Sequence, residues 1–278
     1  MCSPISRAHV TRYGPMTDPL ILVDAPEEHV RRITLNRPEK RNAISTPLRA
    51  ALIEQLRAHD TDPDARVTII RGAGKCFSAG YDLASSLMEG SPFYSAPGDG
   101  QWARQINETW FSVWDLAKPV IAQVHGYAIA GGTELAAACD LVYVAEDATL
   151  SYPIVRVASP PDFQYHTVLL GLRYAMELML TGDAIDGVEA ARIGLANRAY
   201  PADRLEEEVL AVARRVAGVP SDLAQINKRS VHRAFDVWGA RAAIRAGTEL
   251  QALAGHTETA RHFVENALEI AKQAGRSG

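Results

Sequence analysis

The chain has 278 residues, 47% of them hydrophobic and 22% charged, with a formal net charge of −4. That balance describes a soluble globular protein and gives no electrostatic case for binding nucleic acid. Three scattered cysteines, Cys2, Cys76 and Cys139, have neither metal-ligand spacing nor the look of a disulfide framework, and no apolar run approaches the roughly 20 residues that span a bilayer, so a reducing cytoplasm is the expected setting.

Residues 1–18 are polar, carry Pro and Gly, and read as a loose extension without the apolar core of a signal peptide. Strands are expected at "LILVD" (20–24) and "VRRITLN" (30–36), separated by a turn at Pro26-Glu-Glu-His. "STPLRAALIEQLRAHDTDP" reads as a helix: Ser45 or Thr46 can cap it, Pro47 suits its first turn, and Leu48, Leu52, Ile53 and Leu56 share a face. "RVTIIRG" (66–72), "PVIAQVHG" (119–126) and "CDLVYVAE" (139–146) read as short buried strands. Alternation of strands and helices predicts an α/β architecture with parallel strands.

The Ser/Gly/Pro-rich stretch 84–101 reads as a long irregular loop, a kind of segment that is usually functional or disordered. It leads into a helix carrying Trp102, Trp110, Phe111 and Trp114, which suits a core face, an apolar pocket wall, or both. After Pro201 the pattern is helical throughout, over residues 202–278.

Two glycine turns stand out, "RGAGKCFSAGYDL" (71–83) and "GYAIAGGTEL" (126–135). Each follows a strand, and the second opens a helix whose unpaired N–H groups favour negative charge. Together they can offer two N–H donors to one oxyanion, or they can be plain strand-to-helix turns. Neither is a dinucleotide or Walker fingerprint. Glu134 sits just past the second turn, ahead of a run of small apolar residues, where an acid is costly unless its oxygens find partners.

The blocks "NRPEKRNAIS" (36–45), "FSAGYDL" (77–83), "KPVIAQVHGYAIAGGTELAAACDLVYVAEDATLSYP" (118–153) and "AMELMLTGDAIDGVEAARIGLANRAYP" (175–201) resemble the enoyl-CoA hydratase/isomerase (crotonase) superfamily. The resemblance runs in order from about residue 19 to 235 and weakens in the last 40 residues. It implies a crotonase-like spiral of β-β-α units over 19–201, forming two stacked sheets, and a helical C-terminal region over 202–278 that builds homotrimers or homohexamers. It implies an acyl-CoA thioester substrate, with coenzyme A part of that substrate and no separate cofactor or metal. An oxyanion hole would carry over to the backbone N–H groups of Tyr81 and Gly131, and CoA would run past Arg41, Ala43, Ala79, Asp82 and Leu83. Arg37, Lys40 and Arg41 could meet its phosphates or form an ordinary surface cluster.

Glu134 matches the first of the two catalytic glutamates of the hydratases, but Ile154 occupies the place of the second, which puts a standard hydratase mechanism in doubt. Asp162 lies eight residues beyond and matches an aspartate of the dienoyl-CoA isomerase branch, a branch that also has a carboxylate at the Ile154 position. Asp162 is therefore a candidate second proton carrier, or else the N-cap of "PPDFQYHTVLLGL". His125, His166 and Tyr152 are lesser candidates. The expected chemistry is a proton or double-bond shift through a thioester enolate, ranked slightly above hydration. Retro-Claisen hydrolysis and a non-catalytic CoA-ester-binding protein remain as alternatives.

Overall fold

The computed structural model describes residues 18–83 and 101–276. The N-terminal extension, save Asp18, and the stretch 84–100 lie outside them. Strand β1 (Ile21–Glu27) turns at Glu28-His29 into β2 (Val30–Leu35), and the two pair antiparallel. A two-residue connection permits nothing else, because parallel neighbours need a long crossover. From β2 the sheet is parallel, through β3 (Val67–Gly72), β4 (Val120–Val124), β6 (Leu141–Ala145) and β9 (Arg198–Tyr200), in the order β1-β2-β3-β4-β6-β9. Its register sets Ile33 beside Ile70, Ile70 beside Ala122 and Ala122 beside Val142, a continuous buried row. Strands buried on both faces read as continuous apolar runs, which is why they were legible as such.

A second, smaller sheet joins β5 (Tyr127–Ile129), β7 (Thr149–Ser151) and β8 (Ile185–Asp186) in the order β5-β7-β8. The chain passes from one sheet to the other at Gly126, whose φ is +61° and whose added Cβ would lie 2.0 Å from the Lys75 carbonyl oxygen. These two- and three-residue strands, and β9, carry too few residues to show a period in the sequence.

Helix α1 (Thr46–Thr61) is capped by Ser45, whose hydroxyl accepts from the Leu48 amide, and it buries Leu48, Leu52 and Leu56. Helix α2 (Gln101–Trp114) buries Trp110, Phe111 and Trp114, while Trp102 is half-buried. The short helix α3 (Gly131–Ala137) is buried at every position, and its small residues let it pack closely. Helix α4 (His166–Thr181) is kinked at Gly171. After α5 (Gly187–Arg192) come α6 (Leu205–Ala217), α7 (Ser221–Val237), α8 (Ala240–Ala254) and α9 (Glu258–Arg276).

Helix α7 is fastened to the sheet by charge. Lys228 Nζ lies 2.8 Å from an Asp140 oxygen, with both side chains buried or nearly so, and His232 Nε2 lies 2.9 Å from the other oxygen. Lys228 also donates to the carbonyls of Val113 and Lys118. No helix among the described residues is long and apolar enough to cross a membrane.

Candidate active site

The two glycine turns meet. A Cβ on Gly80 would lie 2.6 Å from the Ile129 carbonyl oxygen and 3.2 Å from the Gly131 nitrogen, and Gly80 has φ +94°. Both facts exclude a side chain there. Ala130, which precedes α3, is held at φ 48°, ψ −117°, a conformation that a Cβ resists. Such strain is sustained only where the surroundings enforce it; here the Ala130 amide bonds Ser151 and its carbonyl accepts from Thr133. Among the described residues, neither the Tyr81 amide nor the Gly131 amide donates to a backbone carbonyl.

The expected CoA-facing residues form one strip. Segments 41–44 and 79–82 are zipped together by Ala79 N–H to Arg41 O, Ile44 N–H to Gly80 O, and Asp82 N–H to Ile44 O. Arg41 and Leu83 are exposed, and Ala43, Ala79 and Asp82 half-buried. Arg37 differs from the expectation of a free phosphate partner. It pairs with Asp82 at 2.8 Å and donates to the Ala43 carbonyl at 2.6 Å, so it ties the two segments together from within. Lys40 and Arg41 remain exposed.

Behind this strip Glu134 is fully buried, and its carboxylate is surrounded by donors. Tyr81 donates to Oε2 at 2.5 Å, the Asp162 amide donates to Oε1 at 3.0 Å, and the Tyr152 hydroxyl and Phe163 amide are further hydrogen-bond partners. Tyr81 in turn accepts from Trp110 Nε1 at 2.9 Å, and its ring packs against the Gly131 backbone. Asp162 is also buried. Its Oδ2 accepts from Trp102 Nε1 at 2.9 Å, while its buried Oδ1 has no partner among the described residues. Asp162 does not cap a helix: α4 starts four residues later, with Tyr165 at its N-cap position.

Burial dominates the ionisation of both acids. It pushes Glu134 up to about 8, assisted by the Asp162 charge and opposed by the Tyr81, Phe163 and Tyr152 hydrogen bonds. It pushes Asp162 up to about 7, opposed by Trp102 and by the charge of Arg49. Two carboxyl groups in one desolvated space do not both ionise readily near neutrality, which is the arrangement that lets one give a proton and the other take one. Tyr81 and Tyr152 are held well above the ordinary phenol range by burial, so both stay protonated donors.

Of the lesser candidates, Tyr152 reaches Glu134. His125 turns away and sits 3.0 Å from the Gly74 carbonyl. His166 is buried against the Tyr165 ring, its Nδ1 has no partner, and burial drives its imidazole down to about 3, which leaves it a feeble base. Ile154 lies half-buried in the helical turn Pro153–Arg156 and brings no carboxylate. The donor roles of the Tyr81 side chain and of the Trp102 and Trp110 indoles had no signature in the sequence beyond the aromatic residues themselves.

A family model for enoyl-CoA hydratase/isomerase matches residues 26–270. The chain belongs to the enoyl-CoA hydratase/isomerase family. It is 35% identical over 224 residues, covering 80% of this chain and 84% of the relative, to a Mycobacterium bovis protein described as "Probable enoyl-CoA hydratase echA8". A crystal structure of an enoyl-CoA hydratase from Mycobacterium smegmatis superposes with a TM-score of 0.83 at 30% identity, over 90% of this chain and 89% of that one. A monofunctional enoyl-CoA isomerase from M. smegmatis gives 0.65 at 32% identity, over 78% of this chain and 94% of that one. Family relatives thus carry both reaction names, and the choice between them turns on the carboxylates of this chain.

Proposed function

We propose that the protein shifts a proton, and with it a double bond, along the acyl chain of an acyl-CoA thioester. The reading rests on one observation: Glu134 and Asp162 are buried side by side, joined through the Asp162 amide, while the position of a second hydratase glutamate holds Ile154. The thioester carbonyl would lie between the Tyr81 and Gly131 amides, with CoA along Arg41, Ala43, Ala79, Asp82 and Leu83. One carboxylate takes a proton from carbon. The electron pair moves onto the thioester oxygen, where fixed N–H dipoles in a dry site stabilise the enolate. The other carboxyl returns a proton at a carbon further along the chain. The shared, raised proton affinity of the pair suits this exchange near neutral pH.

Hydration is the second reading, favoured by the names of the relatives. Enoyl-CoA and dienoyl-CoA panels turned over in D₂O separate the two. Deuterium incorporation without a gain of water mass supports isomerisation, and a gain of water overturns it in favour of hydration. Glu134→Gln is expected to lower turnover by a factor of about 10² or more if Glu134 carries a proton; unimpaired turnover would sink the assignment. We further propose a homotrimer or homohexamer. Ile226, Val231, Val237 and Trp238 of α7 and its C-cap are between 63% and 79% exposed, large apolar side chains that suit association. Sedimentation of the intact chain tests it, and a monomer at all concentrations refutes it.

A further inference from the structure

Helix α1 enters directly from the strip that pairs with the Tyr81 loop, because Ile44 forms a bridge with Tyr81. Arg49 lies in the first turn of α1. Its guanidinium sits 5.0 Å over the Trp102 ring, the same indole whose Nε1 donates to Asp162 and whose ring meets Tyr81 edge-on at 5.4 Å. One aromatic layer therefore separates Arg49 from the two acids.

Arg49 is half-buried and makes no ion pair or hydrogen bond among the described residues. The other arginines of comparable burial are all engaged. Arg31 meets Asp62, Arg32 meets Asp24, Arg37 meets Asp82, Arg71 meets Glu206, Arg241 meets Asp115, and Arg66 donates to a carbonyl. Taking a guanidinium partly out of water without a partner is unfavourable, and stacking on an indole offsets only a part of that cost. Burial accordingly lowers the proton affinity of Arg49. Its charge favours the ionised form of Asp162.

The guanidinium opens onto a groove of about 740 Å³ between α1 and α2, lined also by Thr46, Ile53, Arg57, Gln105 and Thr109. That volume is in the range of small-molecule sites. Of the groove's two carboxylates, Glu108 is claimed by Arg245 at 2.7 Å, and Glu54 does not pair with Arg49. The groove thus sets two arginines, Arg49 innermost and Arg57 two helical turns along α1, against the one carboxylate of Glu54 that no ion pair claims among the described residues.

We infer that Arg49 recognises a carboxylate at the far end of the acyl chain, so that the substrate is the CoA monothioester of a dicarboxylic acid. The fork of the guanidinium matches a carboxylate bidentately, and the contact gains strength from partial desolvation. This inference rests on the thioester reading given above, and it names the acyl class that the same site takes.

Binding of saturated thioesters tests it without requiring any reaction. Glutaryl-, adipoyl- and suberoyl-CoA are titrated into the intact protein against pentanoyl-, hexanoyl- and octanoyl-CoA. At least one carboxylated member is expected to bind about 10- to 100-fold more tightly than its neutral counterpart, the range of a charge-assisted hydrogen-bonded pair. In Arg49→Met, which keeps an unbranched apolar chain against the indole but not the charge, that ratio falls to near one, while Arg49→Lys retains a large part of it. Equal affinities across the series, or a ratio unchanged in Arg49→Met, overturn the inference. A loss of affinity for both classes alike in Arg49→Met assigns Arg49 a packing role and also overturns it. If no thioester binds at all, the thioester reading falls with it; if all bind alike, only this inference falls.

Discussion

The Tyr81 hydroxyl donates a 2.5 Å hydrogen bond to Oε2 of Glu134, and so joins the first glycine turn to the helix opened by the second. The link is a chain of three groups, because Trp110 Nε1 donates to the Tyr81 oxygen at 2.9 Å. Tyr81 stays protonated, so its hydrogen bond favours the ionised form of Glu134 and counteracts burial. Tyr81→Phe removes this donor and strands the Trp110 N–H. Stability is expected to fall by about 1–3 kcal/mol, the cost of an unsatisfied buried donor. Turnover should fall too, and the pH at which Glu134 becomes active should move upward. A pH–rate profile of Tyr81→Phe that superposes on the wild type after scaling would refute the link.

Glu134 and Asp162 also leave a mark on folding. Both have proton affinities raised above the ordinary carboxylate range, to about 8 and about 7, chiefly by burial. Between about pH 4 and about pH 8 the native state therefore holds protons that the unfolded chain has released, and stability declines as pH rises through that window. Below it the contribution is complete. The double substitution Glu134→Gln with Asp162→Asn removes both groups, so its stability should depend less on pH. Urea midpoints compared at about pH 5 and about pH 8 check this: the wild type should lose more than the variant, and parallel losses would be the contrary result.

The sequence made some of this legible and hid the rest, for physical reasons. The long parallel strands and the amphipathic helices announced themselves because each carries several apolar residues at a fixed period. Leu48, Leu52 and Leu56 on α1 are buried as that period requires, and Ser45 caps the helix. The glycine turns were legible because glycine is the residue that such close approaches demand, and Gly80 and Gly126 bear this out. The second sheet was not, since its strands are two or three residues long and held by neighbours distant in sequence. In the site, Glu134 and Asp162 could be singled out as acids of unexpected placement. What surrounds them could not, because Tyr81, Trp102 and Trp110 look like core aromatics until folding turns their polar atoms toward one point. Arg37 shows the converse: a basic residue beside the strip expected to meet CoA is held by an internal partner.

Gly131 is held to glycine by the site rather than by its backbone angles. A Cβ there would lie 2.7 Å from the Tyr81 ring, at the edge that carries the hydroxyl, and that hydroxyl is held by Glu134 and Trp110. Gly131→Ala must push the ring aside and disturb the Tyr81–Glu134 bond. The overpacking should cost about 1–3 kcal/mol. Activity is expected to fall more steeply than stability, by a factor of about 10² if a reacting group is misplaced by about 1 Å. Tyr81→Phe combined with Gly131→Ala then costs less than the sum of the two, since both act on one contact. Additive losses of activity in the double variant would show that Gly131 acts independently of the ring.

Asp140 is the charge on which the C-terminal helices depend. One of its oxygens holds Lys228 at 2.8 Å and accepts from the Val120 amide at 2.8 Å, and the other meets His232 at 2.9 Å. Asp140→Ala leaves the Lys228 ammonium buried without its counter-charge, with only the Val113 and Lys118 carbonyls as acceptors, and it also orphans the Val120 amide at the start of a central strand. Breaking a buried pair from one side costs about 3–5 kcal/mol, far more than the pair contributes net. Removing both charges by Asp140→Ala with Lys228→Met, which leaves the Val120 amide without its acceptor in both variants, should recover much of that loss. Denaturant unfolding of the single and double variants is the measurement, and a double variant no more stable than Asp140→Ala would mean that Asp140 acts through the strand amide rather than through α7.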